Sequence, residues 1–202
     1  GSTGNTSIGS YSLNVNQGDA NTAIGSGSLT FNTTGHSNTA VGEQSLYNNN
    51  VGFQNVAVGQ QALKANTSGS FNIAIGVGAL VANETGSSNT AHGKEALFRN
   101  KAGLENVAVG QWSGYNSTGS NNTYVGMRAG EGSVTGSNNT AIGHNADFGF
   151  NDLTNATAIG YQAKVQANNT VRLGNANVVA VKTSGTFFSG GVQVTSDARL
   201  KE

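Results

Sequence analysis

The chain has 202 residues, 30 of them glycine, no proline and no cysteine, and its 10 basic and 10 acidic residues cancel to a formal charge of zero. The charges stand singly, which argues against a nucleic-acid surface, since that needs a basic stripe, and against electrostatic docking to a membrane. No apolar run approaches the ~20 residues of a membrane span, and without cysteine neither a disulfide framework nor a thiolate metal site is available.

Read from the N-terminus, the chain keeps rewriting one five-residue phrase, clearest as Asn72-Ile73-Ala74-Ile75-Gly76. The phrase closes on Gly9, Gly25, Gly42, Gly59, Gly76, Gly93, Gly110, Gly126, Gly143 and Gly160, at intervals of 16 or 17 residues. A fixed short period is the mark of a solenoid. The middle of the phrase is β-branched or small, as in Thr22-Ala23-Ile24 and Val107-Ala108-Val109, and long enough only for a short strand. Alternation puts the alanine on one face and its two neighbours on the other. A run apolar or small on both sides predicts a strand covered on both faces. One face then fills the coil and the alanine face meets something flat and close; composition alone does not say which is which.

Four residues after the glycine stand Leu13, Leu29, Leu46, Leu63, Leu80 and Leu97, a second column that stacked coils turn into a ladder of touching side chains. The rest of each repeat is turn chemistry, such as Asn32-Thr33-Thr34-Gly35 and Asn66-Thr67-Ser68-Gly69. The absence of proline fits a backbone whose N–H groups are committed to ladders. Ten such coils give a rod on the order of 50 Å long. Each coil's core is thin, so several rods are expected to pack side by side.

The regular array is read as residues 1–160. After Gly110 the leucine column becomes Gly114, Gly130, Asp147 and Lys164, which predicts a changed cross-section. Thr170-Val171-Arg172-Leu173-Gly174 is a shortened echo of the phrase. Val178–Val181 and Gly191–Val194 read as short strands, so 161–195 is expected to be a β-rich neck and 196–202 a separate, more charged stub.

Two resemblances follow from these residues. The repeated Asn-Thr-Ala-Ile-Gly with Ala-Leu after it resembles the coils of trimeric autotransporter adhesin heads, over about residues 1–175. That likeness implies a left-handed parallel β-roll with three chains around one axis; the longer repeat here implies a wider cross-section. The tail Thr195-Ser196-Asp197-Ala198-Arg199-Leu200-Lys201-Glu202 resembles the opening of the endosialidase-type intramolecular chaperone of phage tail fibres and spikes. This second likeness implies a chaperone that helps the trimer fold and then cuts itself away between Thr195 and Ser196. Ser196 would be the nucleophile and Lys201 the base, a pair that works only when the lysine is desolvated. With the sequence ending at Glu202, that cleavage is expected of a longer parent and not of these residues alone.

Residues able to carry chemistry are few. His36 and His144 read as solvated surface groups, whereas His92 occupies an Ile/Val slot of the phrase. It is either a hydrogen-bonded core histidine or, if the slot faces a threefold axis, one of three imidazoles around an ion or water. Glu95 and Glu105 lie close enough to approach across coils, but nothing marks the cleft that paired-carboxylate hydrolysis needs. The abundant glycines are coil punctuation and carry no nucleotide fingerprint. Phe98 and Tyr115 share one column and should stack, with Trp112 above Glu95 beside them; Tyr47 and Phe148 occupy the Phe98 column further along. Aromatics beside Asn and Gln suit sugar rings, so Trp112, Tyr115, Phe98 and Tyr47 are the candidate glycan or receptor contacts, against a plain packing ladder. Asn-x-Ser/Thr triplets at Asn32, Asn66 and Asn116 are expected by chance in so Asn-rich a chain.

The expectation is therefore an all-β, homotrimeric parallel β-roll of ~17-residue coils, a stiff and adhesive segment of a phage or phage-derived tail fibre. It would lie in a virion tail or outside the cell. Its partners would be two further copies, other tail proteins and a host-surface glycan or protein receptor, with no nucleic acid, no membrane insertion, no cofactor, no dedicated metal site and no enzyme activity of its own. An adhesin head binding host matrix is the alternative, disfavoured by the tail at Ser196–Lys201. An ice-binding solenoid is a lesser one, resting on a threonine rank at Thr22, Thr39, Thr90, Thr123 and Thr140 that Val56, Ile73 and Val107 interrupt.

Overall fold

The computed structural model describes residues 2–178, 187–189 and 192–194. Each phrase forms a three-residue strand: β1 (Thr6–Ile8), β2 (Thr22–Ile24), β3 (Thr39–Val41), β4 (Val56–Val58), β5 (Ile73–Ile75), β6 (Thr90–His92), β7 (Val107–Val109), β8 (Thr123–Val125) and β9 (Thr140–Ile142). A second type of strand enters with β10 (Asp147–Phe148) and returns as β12 (Lys164–Val165), flanking β11 (Thr157–Ile159); β13 is Val171–Leu173. β1 to β9, β11 and β13 build one 11-stranded sheet in chain order, while β10 and β12 pair separately. All of these pairings are parallel and in strict column register, Ala40 opposite Ala57 and Ala57 opposite Ala74. The chain is a parallel β-solenoid of ~17-residue coils, without helix among the described residues. The shortened echo continues the main ladder past Gly160, because β13 pairs with β11.

β14 (Phe187–Ser189) and β15 (Val192–Val194) pair antiparallel. The strand reading at Val178–Val181 falls largely outside the described residues, as do Ser196 and Lys201.

The alanines point inward. Ala23, Ala40, Ala57, Ala74, Ala91 and Ala108 are fully buried, opposed by the buried leucines Leu29, Leu46, Leu63, Leu80 and Leu97. The alanine face therefore meets the coil's own leucine ladder and not a neighbouring rod, and the β-branched neighbours point outward. Volume decides this: a narrow coil already filled by leucine leaves room for a methyl but not for a second branched side chain.

The leucines sit at left-handed corners, with φ of 47° to 52° from Leu29 to Leu97. That conformation costs an L-residue about 1–2 kcal/mol, comparable with the ~1.5–3 kcal/mol gained by burying the side chain. The phrase-closing glycine is required on two counts. Gly76 has φ +132°, and a Cβ there would stand 2.5 Å from the Gly93 carbonyl oxygen of the next coil.

Two asparagine columns line the interior beside the apolar strip. In the first, Asn55 Nδ2 donates to Asn38 Oδ1 at 3.2 Å and to the Gly69 carbonyl at 2.8 Å, and the Asn55 backbone N–H donates to Asn38 Oδ1 at 3.0 Å. The pattern repeats at Asn72, Asn89, Asn106 and Asn122. In the second column, Asn49 donates to Asn32 Oδ1 at 2.8 Å, and Asn66 to Asn49 Oδ1 at 2.7 Å. These amides hold the turns from inside, so Asn32 and Asn66 are fully buried and closed to glycosylation.

The drift after Gly110 has a compact cause. The coil from Gly110 to Gly126 is one residue short, and Ser117 takes the place of the ladder asparagine. Asn100 Oδ1 is left as a buried acceptor without a partner among the described residues. Leucine is replaced by Gly114 and Gly130, and the alanine slot between them by Tyr124, which is fully buried. The ring lies over both glycines: a Cβ at Gly114 would meet it at 2.5 Å and one at Gly130 at 2.1 Å. Burial pushes the Tyr124 phenol up to about 12, and its hydroxyl bonds Ser117 Oγ at 3.0 Å. The cross-section is thus kept and refilled from the opposite wall. In the last coils the core moves along by one residue, to Phe148 and Val165, both buried. Asp147 then faces partly outward, accepting from the Gly132 N–H at 3.0 Å, and burial raises its carboxyl above the ordinary range.

Candidate functional site

Two surfaces stand out. The first is the outer face of the 11-stranded sheet, which carries the residues on either side of each buried alanine. One column reads Ile8, Ile24, Val41, Val58, Ile75, His92, Val109, Val125, Ile142 and Ile159; the other mixes threonine with Val56, Ile73 and Val107. Many of these apolar side chains are half-open to solvent, Ile24 at 37%, Ile73 at 41% and Ile142 at 38%. His92 belongs to this face. It is exposed between Ile75 and Val109 and is not a core histidine.

The second surface is the coil corner formed by the columns two and five residues after the phrase glycine. Phe98 and Tyr115 stack with ring centroids 4.9 Å apart and planes 3° from parallel. Trp112 Nε1 donates to Glu95 Oε2 at 2.9 Å, and the Arg128 guanidinium lies 4.9 Å from the Trp112 ring centroid. Arg99 approaches the Tyr115 ring at 5.9 Å. The corner thus brings Trp112, Tyr115 and Phe98 into one patch, but their polar and π-faces are already engaged by neighbours.

Tyr47 lies three coils away, in a separate cluster. Its ring meets Phe31 edge to face at 5.1 Å. Together with Tyr11 they wall a surface cleft of about 310 Å³, whose other lining residues are Asn14, Ser26, Gly27, Thr30 and Gln44. Tyr11 and Phe31 were not singled out from the sequence. The available signal was columnar: Tyr11 shares Trp112's place in the repeat, with only Gly27 between it and Gln44.

The remaining histidines are exposed and stacked, His36 on Phe53 at 5.1 Å and His144 on Tyr161 at 5.6 Å. A second depression, of about 410 Å³, is lined by Arg99, Lys101, Asn116 and Thr118 among others, with Lys101 paired to Glu84 at 3.6 Å. Among the described residues no three His, Cys, Asp or Glu side chains gather as a metal site. No protein-family model and no curated protein matches the chain.

Proposed function

We propose that this chain is the rod of a homotrimeric fibre, a stiff spacer of the phage or phage-derived tail-fibre type that presents a receptor-binding surface. The observation that carries the reading is the outer sheet face: a Val/Ile rank from Ile8 to Ile159, interrupted at His92, partly exposed in a single chain. Contiguous apolar strips of that length mark interaction surfaces. A parallel sheet whose like residues recur in register suits a second and third copy of itself, because each rank meets an identical rank around an axis. In such a trimer three His92 side chains would come near that axis. Stiffness follows from backbone bonds between every pair of coils, such as Gly76 N–H to the Val58 carbonyl at 2.7 Å. The threonine rank of an ice-binding face is broken on this same surface by Val56, Ile73 and Val107. Self-cleavage at Ser196 with Lys201 belongs to the same proposal, for a parent that carries the chaperone.

The test is oligomeric mass by light scattering, with the chain expressed alone and with a downstream chaperone segment. The expected species has three times the 20.4 kDa chain mass. Val109→Asp with Ile142→Asp should yield monomer, because three carboxylates would be buried at each level. A wild-type monomer in both expression formats overturns the proposal.

A further inference from the structure

We infer that the cleft between Tyr11, Phe31 and Tyr47 is a binding site for a single ring of a neutral sugar. The inference rests on the adhesive reading above but locates it in the coils that follow Gly9, Gly25 and Gly42, away from the Trp112 cluster.

Three features of the cleft argue for it. One aromatic wall is open within the array itself: Phe31, in a coil flanked by one on either side, is 45% exposed, so a ring face is free to stack on the C–H side of a pyranose. Its rim carries free amides. In a chain that commits its interior asparagines to two ladders, the amides of Asn14 and Gln44 and the hydroxyl of Ser26 line this rim with no side-chain hydrogen-bond partner among the described residues. Side-chain amides of this kind both donate and accept, which matches vicinal hydroxyl groups. Its floor is made by an absent side chain. Gly27 stands, as Gly78 does, where other coils have Gln44, Gln61, Glu95 or Trp112, and a Cβ there would lie 3.4 Å from the Tyr47 ring and 3.5 Å from Gln44 Cγ.

The chemistry of the lining fixes the ligand class. No charged side chain borders the cleft, so it offers no countercharge to a carboxylate or sulfate. Its volume of about 310 Å³ lies at the lower end of small-ligand sites, which run from ~300 to 1,000 Å³. The Trp112 corner lacks these properties, since Glu95 holds its N–H and Arg128 covers its face. None of the lining residues is a strand residue of the outer sheet face, so the site and the proposed trimer surface use different parts of the coil.

The experiment is saturation-transfer NMR on the full chain with glucose, galactose, mannose and N-acetylglucosamine as probes and sialic acid as the charged comparison. At least one neutral probe should bind. Tyr11→Ala should weaken it about 3- to 10-fold, the loss of one aromatic contact. Gly27→Gln should abolish binding while the chain still folds, with a lowered but cooperative thermal midpoint, because Gln44 and Gln61 hold the same left-handed corner at φ 55° and 59°. Binding that persists in Gly27→Gln, binding of sialic acid only, or no binding of any neutral probe overturns the site. Mass measured on the same sample separates the two proposals: a trimer that binds no sugar removes only the cleft, and a sugar-binding monomer removes only the fibre.

Discussion

The residue that does most to hold the coil together is asparagine, and it does so where solvent cannot reach. Asn72 accepts from the Asn89 N–H at 3.0 Å and donates to Asn55 Oδ1 at 3.1 Å and the Gly86 carbonyl at 2.8 Å. Removing that amide strands a buried carbonyl and a buried N–H in adjoining coils, each costing about 1–3 kcal/mol. Asn72→Ala is therefore expected to lower stability by about 2–4 kcal/mol in chemical denaturation, whereas exposed Asn48→Ala should change it within about 0.5 kcal/mol. In the sequence these asparagines were legible as turn formers and as the first letter of the phrase. Their burial was not, because a side chain bonding its own turn and one bonding the next coil have the same spacing along the chain.

At the scale of the element, the coil is a container of fixed volume that accepts more than one filling. Six leucine positions fill it from the corner, and Tyr124 fills it from the strand where Gly114 and Gly130 have replaced leucine. Tyr124→Ala alone should empty that space and cost about 3–5 kcal/mol. Adding Gly114→Leu and Gly130→Leu should restore most of the loss, since both glycines hold the left-handed φ (57° and 63°) that the leucines elsewhere adopt. Melting curves of the three single variants and the triple variant would measure that coupling as a departure from additivity. The expected change of cross-section after Gly110 was read from the vanishing leucines; the compensating tyrosine, two residues before Gly126 in the slot that alanine fills elsewhere, shows only when both walls are seen together.

At the scale of the whole molecule, stability is a sum over neighbours. Each strand pairs only with its ladder neighbours one coil away, so removing one full period should shorten the rod without unfolding it. Deleting residues 60–76 joins Gly59 to Val77 and preserves every column. That variant should remain folded by circular dichroism, with the rod shorter by ~4.8 Å. Deleting 60–67 shifts every later column out of register and should not fold cooperatively.

What the chain's own order determined is the period, the placement of one strand per repeat and the leucine ladder, because translation along a solenoid converts sequence identity directly into vertical contact. What tertiary structure alone decided is direction. The alanines and their β-branched neighbours are both apolar or small, and only the width of the closed coil sends the methyls in and the Val/Ile rank, with His92, out. The same closure exposed the cleft at Tyr11, Phe31 and Tyr47, whose members come from three successive coils and line one space over Gly27.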